Sequence, residues 1–157
     1  MKIKLLFTGK TGMDFVQKGI DEYTGRIKRF VKIEIIVIPV IKNAAKLSIP
    51  ELKEKEGQAL LEKISNDDHL VLLDENGKQF DSRGFSQFLQ KKMNASIKNL
   101  IFVFGGAYGF SDKVYKMANY KLSLSKMTFT HQLVRVIFLE QLYRGFSIIN
   151  GNPYHHD

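Results

Sequence analysis

The chain has 157 residues, 44% of them hydrophobic, enough for one core, and the single domain 1–157 is the expectation. There is no cysteine, which excludes disulfides, thiol catalysis and thiolate metal sites. The net charge is +8, a balance that suits a polyanionic partner such as nucleic acid.

No run approaches the ~20 apolar residues of a membrane span, and Met1-Lys2-Ile3-Lys4 leads into a strand-like run with no cleavage pattern. A cytoplasmic protein without membrane contact is expected. The charge is uneven: residues 1–46 hold ten Lys/Arg against four Asp/Glu, a surplus of six. Arg26-Ile27-Lys28-Arg29 and Lys32 are its densest part.

Lys2 to Thr8 alternates as a strand, and Gly9-Lys10-Thr11-Gly12 turns without the spacing of a phosphate-binding loop. A helix is predicted over about Met13 to Phe30, with Phe15, Val16, Ile20, Tyr23 and Ile27 on one side and most basic residues on the other. Lys32 to Val40 is β-branched and reads as a second strand. Asn43 to Pro50 is a polar linker. The next helix, Glu51 to Ile64, has mixed charges that suggest a solvated surface.

His69 to Asp74 reads as a buried strand, and Glu75-Asn76-Gly77-Lys78 turns the chain. Ser82 to Ala95 is a helix with Phe85, Phe88, Leu89 and Met93 facing inward. Leu100 to Phe104 is the most hydrophobic strand, expected in the middle of a parallel sheet. It breaks at Gly105-Gly106-Ala107-Tyr108-Gly109, and a helix starts near Ser111-Asp112, with Ser111 a plausible cap.

Leu122 to Ser125 is strand-like. A turn through Lys126 to Thr130 precedes a helix that is apolar almost all round: Leu133, Val134, Val136, Ile137, Phe138, Leu139, Leu142. Such a helix needs cover from two directions, and a second subunit is the simplest second cover. His131 and Arg135, spaced i, i+4, would share a face at its start. Strands alternating with helices give an α/β domain on a mostly parallel sheet with flanking helices.

Parallel sheets bind ligands at the carboxyl ends of their strands. Three loops lie there: after Leu73-Asp74, Gly105 to Gly109, and Ser125 to Thr130. The glycine loop does not fit a dinucleotide fingerprint, since Ala107 replaces the needed glycine. His155 and His156 have no third ligand at sensible spacing, so no metal is assigned.

GGAYGF, then LSLSKMTFTHQLVRVIFLEQLYR, then PYHHD, with KIKLLFTGK at the start, is a combination that resembles the RlmH family of the SPOUT superfamily. The resemblance implies a SPOUT-type α/β trefoil knot. It implies S-adenosylmethionine as methyl donor and N3 of a pseudouridine in bacterial 23S ribosomal RNA as acceptor, on the ribosome. It implies a homodimer through the last helix. Carried over residue by residue, Leu73, Gly105, Leu124, Ser125, Lys126, Met127, Thr128 and Phe129 are the cofactor positions. His131, Arg135, Tyr154 and His155 are unranked candidates for assisting deprotonation of N3 or holding the base, and Arg144 and the basic first helix for phosphate contact. Thr130 and Gln132 depart from the family's frequent Pro-His-Pro, and Ala107-Tyr108 from its frequent Pro-Glu. A non-enzymatic RNA-binding module and a methyltransferase acting on transfer-RNA ribose remain open alternatives.

Overall fold

The computed structural model describes residues 1–154. Five strands alternate with five helices: β1 (Lys2–Thr8), α1 (Asp14–Ile27), β2 (Lys32–Ile38), α2 (Ile49–Leu61), β3 (Asp68–Gln79), α3 (Ser82–Asn94), β4 (Asn99–Phe104), α4 (Asp112–Met117), β5 (Tyr120–Ser123) and α5 (Leu133–Ile149). A 3-10 turn at Ala44–Lys46 interrupts the polar linker. The strand order is β2-β1-β4-β3-β5, with every pair parallel. β4 is central and buried on both faces, as its unbroken apolar run requires.

Strand alternation builds two cores. Ile3, Leu5, Phe7, Phe102 and Phe104 point to one face, where α1, α3 and α5 bring Ile20, Leu89 and Phe138. Leu6, Leu72, Ile101 and Val103 point to the other, under Leu60 of α2 and Val114 of α4. No helix of the described residues is long and apolar enough to cross a membrane.

Boundaries moved where local polar chemistry decided them. α2 starts at Ile49 because Ser48 and Glu51 form a reciprocal capping box, with Pro50 in the first turn. α3 starts where Asp81 accepts the Gly84 N–H at 2.6 Å. Ser111 precedes α4, but its side chain makes no cap bond, contrary to expectation. Met93 is 37% exposed rather than inward; it lies one turn past Leu89, where α3 runs off the edge of the core.

The expected turn after Asp74 is an excursion inside a longer strand. Leu122 of β5 pairs with Leu73 and again with Lys78, so Asp74 to Gly77 bulge out between two contacts with one residue. Gly77 lies against β5 so closely that an added Cβ would sit 2.5 Å from the Leu122 carbonyl carbon and 2.7 Å from that of Lys121. Only glycine permits that approach.

α5 is covered on three sides by its own chain. The sheet lies beneath Phe138, Leu139 and Leu142. On one flank Val136 meets Gly19 of α1, and on the other Gly145 meets Leu89 of α3. The strip left over includes Ile137, Arg144 paired with Glu140, and Ile148. Its all-round apolarity is therefore met largely inside the chain.

Candidate functional site

β4, β3 and β5 are neighbours, and Leu73 pairs with Phe104 on one side and Leu122 on the other. The three loops singled out by sequence thus leave adjacent points on the carboxyl edge of the sheet. Leu73, Gly105, Leu124, Ser125 and Phe129 are half-buried there, while Lys126, Met127 and Thr128 are exposed, Met127 by 77%. The last loop is shaped by its own hydroxyls. Ser123 Oγ donates to the Ser125 carbonyl at 3.1 Å, and Ser125 Oγ accepts the Met127 N–H at 2.9 Å.

The glycine loop is a tight turn, with the Gly109 N–H donating to the Gly106 carbonyl and Gly109 at a φ of +76°. Gly105 faces the Phe110 ring, 3.0 Å from where a Cβ would stand. Asp74 heads the excursion. Its carboxylate accepts the Asn76 N–H at 2.8 Å and the Tyr115 hydroxyl at 2.5 Å. Burial, then the Asp74 hydrogen bond and charge, push the Tyr115 phenol up to about 12. Tyr115, absent from the sequence-based site, ties the excursion to α4; nothing in its local sequence marks it.

His131 and Arg135 differ sharply in burial. α5 begins at Leu133, so His131 precedes the helix and is exposed, next to the loop 124–130. Arg135 is 1% exposed. Its guanidinium donates to the Thr8 carbonyl at 2.7 Å and to Thr11 Oγ1 at 2.9 Å, and stacks 4.7 Å above the centre of the Phe7 ring. These partners are neutral, and burial pulls its pKa below the usual arginine value. Arg135 therefore pins the β1–α1 loop from inside.

Gln132 holds the same loop. Its Oε1 accepts the N–H groups of Gly12 at 2.9 Å and Met13 at 3.2 Å, the two residues just before α1. Thr130 Oγ1 accepts the Leu133 N–H at 3.2 Å at the start of α5. Proline could make neither bond, so both departures from the family pattern have polar work at this corner.

Tyr154 lies elsewhere. Its ring packs edge-on against Tyr143 at 4.6 Å, Arg144 stands over it at 5.0 Å, and its hydroxyl meets Glu140 at 3.2 Å. Burial, then a hydrogen bond with Tyr23 and the Glu140 charge, hold its phenol above the ordinary range. These partners on α5 stand two to three turns from its start at Leu133, and none of them belongs to the three loops. Within one chain Tyr154 is not brought onto these loops. His155 lies outside the described residues. Arg144 is engaged by Glu140 at 2.5 Å, and Arg26 by Glu22 at 2.6 Å, leaving Lys28, Arg29 and Lys32 as the exposed basic run.

A groove of about 530 Å³ opens between α1 and β1–β2, with Phe7, Ile20 and Ile35 in its lining and Lys10 and Lys28 among its polar groups. Among the described residues no group of three His, Asp or Glu is placed to hold a metal ion.

The sequence matches, over residues 1–155, the family described as "Predicted SPOUT methyltransferase". A Flavobacterium johnsoniae protein named Ribosomal RNA large subunit methyltransferase H is 55% identical over 156 residues, covering 99% of both chains. One of the same name from Parabacteroides distasonis is 51% identical over 157 residues, covering 100% of both. A Legionella pneumophila protein described as a methyltransferase and solved with bound SAM aligns at 13% identity and a TM-score of 0.43, over 90% of this chain and 65% of that one. With nearly its whole length matched, and with relatives at half identity from end to end, the chain belongs to the SPOUT methyltransferase family.

Proposed function

We propose that this protein methylates N3 of a pseudouridine in bacterial 23S ribosomal RNA on the assembled ribosome, in the cytoplasm, with S-adenosylmethionine as donor. The end-to-end likeness to large-subunit ribosomal RNA methyltransferases carries the reading. The convergence of three loops on adjacent strand ends supports it.

The residues present fit the donor. Leu73, Leu124 and Phe129 offer half-buried apolar surface for the adenine, and the loop backbones of Gly105 and Ser125 to Thr128 offer polar groups for its edge and for the ribose. When bound, the donor supplies an activated methyl group. The chain then has mainly to align the acceptor and manage the N3 proton. His131, exposed and directly after the last of these loops, would accept that proton. Arg135 and Gln132 act one layer behind, fixing the β1–α1 loop against the start of α5. The groove beside α1, with Lys10 and Lys28, suits an RNA strand whose phosphates meet the lysines.

The working unit is a homodimer. Its support is the exposure of Met13, Phe15 and Leu133, on segments joined through Gln132, with Phe15 65% exposed. Val136 and Leu139 are committed inside the chain, so Ile137 and Leu133 are the informative positions for an interface test. The passage of the chain from β5 at the sheet edge to α5 between α1 and α3 supports the threaded, knotted connection of the family.

Two measurements test the function. Calorimetry with S-adenosylmethionine should show binding; no binding would favour a plain RNA-binding module. Mass spectrometry of nucleosides from ribosomal RNA of a deletion strain should show loss of N3-methylpseudouridine; loss of a ribose methylation in transfer RNA instead would move the activity to that substrate.

A further inference from the structure

The mixed charges of α2 look like a solvated face, but its acidic residues differ. Glu51 is held by Ser48 in the capping box, and Glu54 pairs with Lys113 of α4. Glu56 is half-buried and has no hydrogen-bond or ion-pair partner among the described residues. Burial alone raises its carboxyl above the usual range, since no cation lies near enough to oppose it.

Its position is built. Gly57, the next residue, lets α2 close onto α4: an added Cβ would stand 2.3 Å from Ser111 Oγ and 3.3 Å from Val114 Cγ2. Ser111 Oγ is itself buried without a partner. That close seating carries the Glu56 carboxylate onto the glycine loop, where Oε2 lies 2.8 Å and Oε1 3.3 Å from the place a Gly106 Cβ would occupy. A half-buried carboxylate is thus set against the glycine loop with no protein partner among the described residues, open to a ligand that carries positive charge. It stands at the carboxyl end of β4, beside the loop that contributes Gly105.

We propose that Glu56 is a residue of the donor pocket, its carboxylate facing the sulfonium charge of S-adenosylmethionine. This rests on the methyltransferase reading above. The methylated donor carries a positive sulfur, and the spent thioether does not. A carboxylate with no other partner therefore holds the donor more tightly than the product, and favours exchange of one for the other after transfer. Gly106 is required because any side chain there would push the carboxylate away.

The test is calorimetric titration of wild type and Glu56→Gln with S-adenosylmethionine and with S-adenosylhomocysteine. Wild type should prefer the donor. Glu56→Gln should lose about tenfold in donor affinity. Its product affinity should change by less than about twofold and its melting temperature by less than about 2 °C. Unchanged donor affinity, or equal loss for both ligands, would overturn the assignment. Wild type that binds neither ligand would instead reject the methyltransferase reading. Should Glu56→Gln fail to fold, Gly106→Ala carries the test, because its methyl group displaces only the tip of a flexible side chain. Its donor preference should fall in the same way, and a preference kept intact would overturn the proposal.

Discussion

Replacing Gly77 by alanine tests the seam on which the candidate site hangs. The added methyl carbon would stand 2.5, 2.6 and 2.7 Å from backbone atoms of Leu122 and Lys121. Carbon atoms rest about 3.5–4.0 Å apart, so β5 must retreat by roughly 1 Å or the excursion must open. Backbone cannot rotate aside as a side-chain tip can, and Leu122 is held by Leu73 and Lys78 together. Overpacking of this kind costs about 1–3 kcal/mol, and here the upper end applies. Alanine also stiffens the unfolded chain, which returns about 0.4–1 kcal/mol. The net loss is about 2 kcal/mol, a fall of roughly 4–8 °C in melting temperature for a chain of this size. Urea denaturation followed by circular dichroism measures it. Because Leu122 leads into the loop 124–129, donor affinity should fall as well. Stability and donor affinity both equal to wild type would refute the close contact and its place in the site.

Gln132→Ala should cost about 1 kcal/mol by releasing the Gly12 and Met13 N–H groups ahead of α1, seen in urea denaturation, while Gln132→Glu should recover most of it because a carboxylate accepts the same two N–H groups. Arg135→Lys keeps the charge but not the fork to Thr8 and Thr11, and should lose about 1.5–3 kcal/mol in the same assay. Tyr115→Phe removes a phenol whose folded pKa, about 12, lies above its ordinary 10, so its stabilisation is complete below pH 10 and lost as pH rises through 12. The stability gap between wild type and Tyr115→Phe should therefore be flat from pH 7 to 9 and shrink above 10; a gap that grows there would contradict the Asp74 hydrogen bond.

Periodicity made the sheet legible because burial enforces it. Ile3, Leu5 and Phe7 face one core, and the run Leu100 to Phe104, buried on both faces, marks the central strand. What failed was whatever depended on a distant partner. Glu75 to Lys78 read as a turn, and the chain does bulge there, but the strand resumes because Leu122 offers a second pairing that no local window contains. The i, i+4 spacing of His131 and Arg135 gave no hint that Arg135 turns inward to Thr8 and Thr11 while His131 stays exposed. For α5 the sequence called for its own core and a second cover, and it could not show that α1 and α3 flank the helix on both sides. Glu56 was lost among charges of both signs. Its one sequence signal is the glycine that follows it, a residue out of place in a helix unless something must come close.

The tail separates two roles that sequence left open. Tyr154 docks on Tyr143, Arg144 and Glu140, so it has something to lose on deletion. An aromatic contact and a hydrogen bond to a carboxylate, at a half-exposed site, together contribute about 1–2 kcal/mol. Truncation after Pro153 should therefore lower stability measurably, where the polar sequence had suggested little change. Docked two to three turns into α5 on partners outside the loops, Tyr154 cannot serve the loops of its own chain without leaving this dock. A role in chemistry then requires the loops of a second copy. Mixed dimers decide it. One protomer is truncated after Pro153 and keeps its loops. The other carries Gly105→Val, whose side chain collides with the Phe110 ring and displaces its loop, and keeps its tail. Each homodimer should be inactive in methyl transfer to ribosomes. The mixed dimer pairs one intact set of loops with the tail of the other copy, and should recover about half of wild-type activity, one site in two. A mixed dimer that binds the donor at its intact loops yet transfers no methyl group would reject service in trans. Full activity of the truncated homodimer would leave Tyr154 with stability as its whole task.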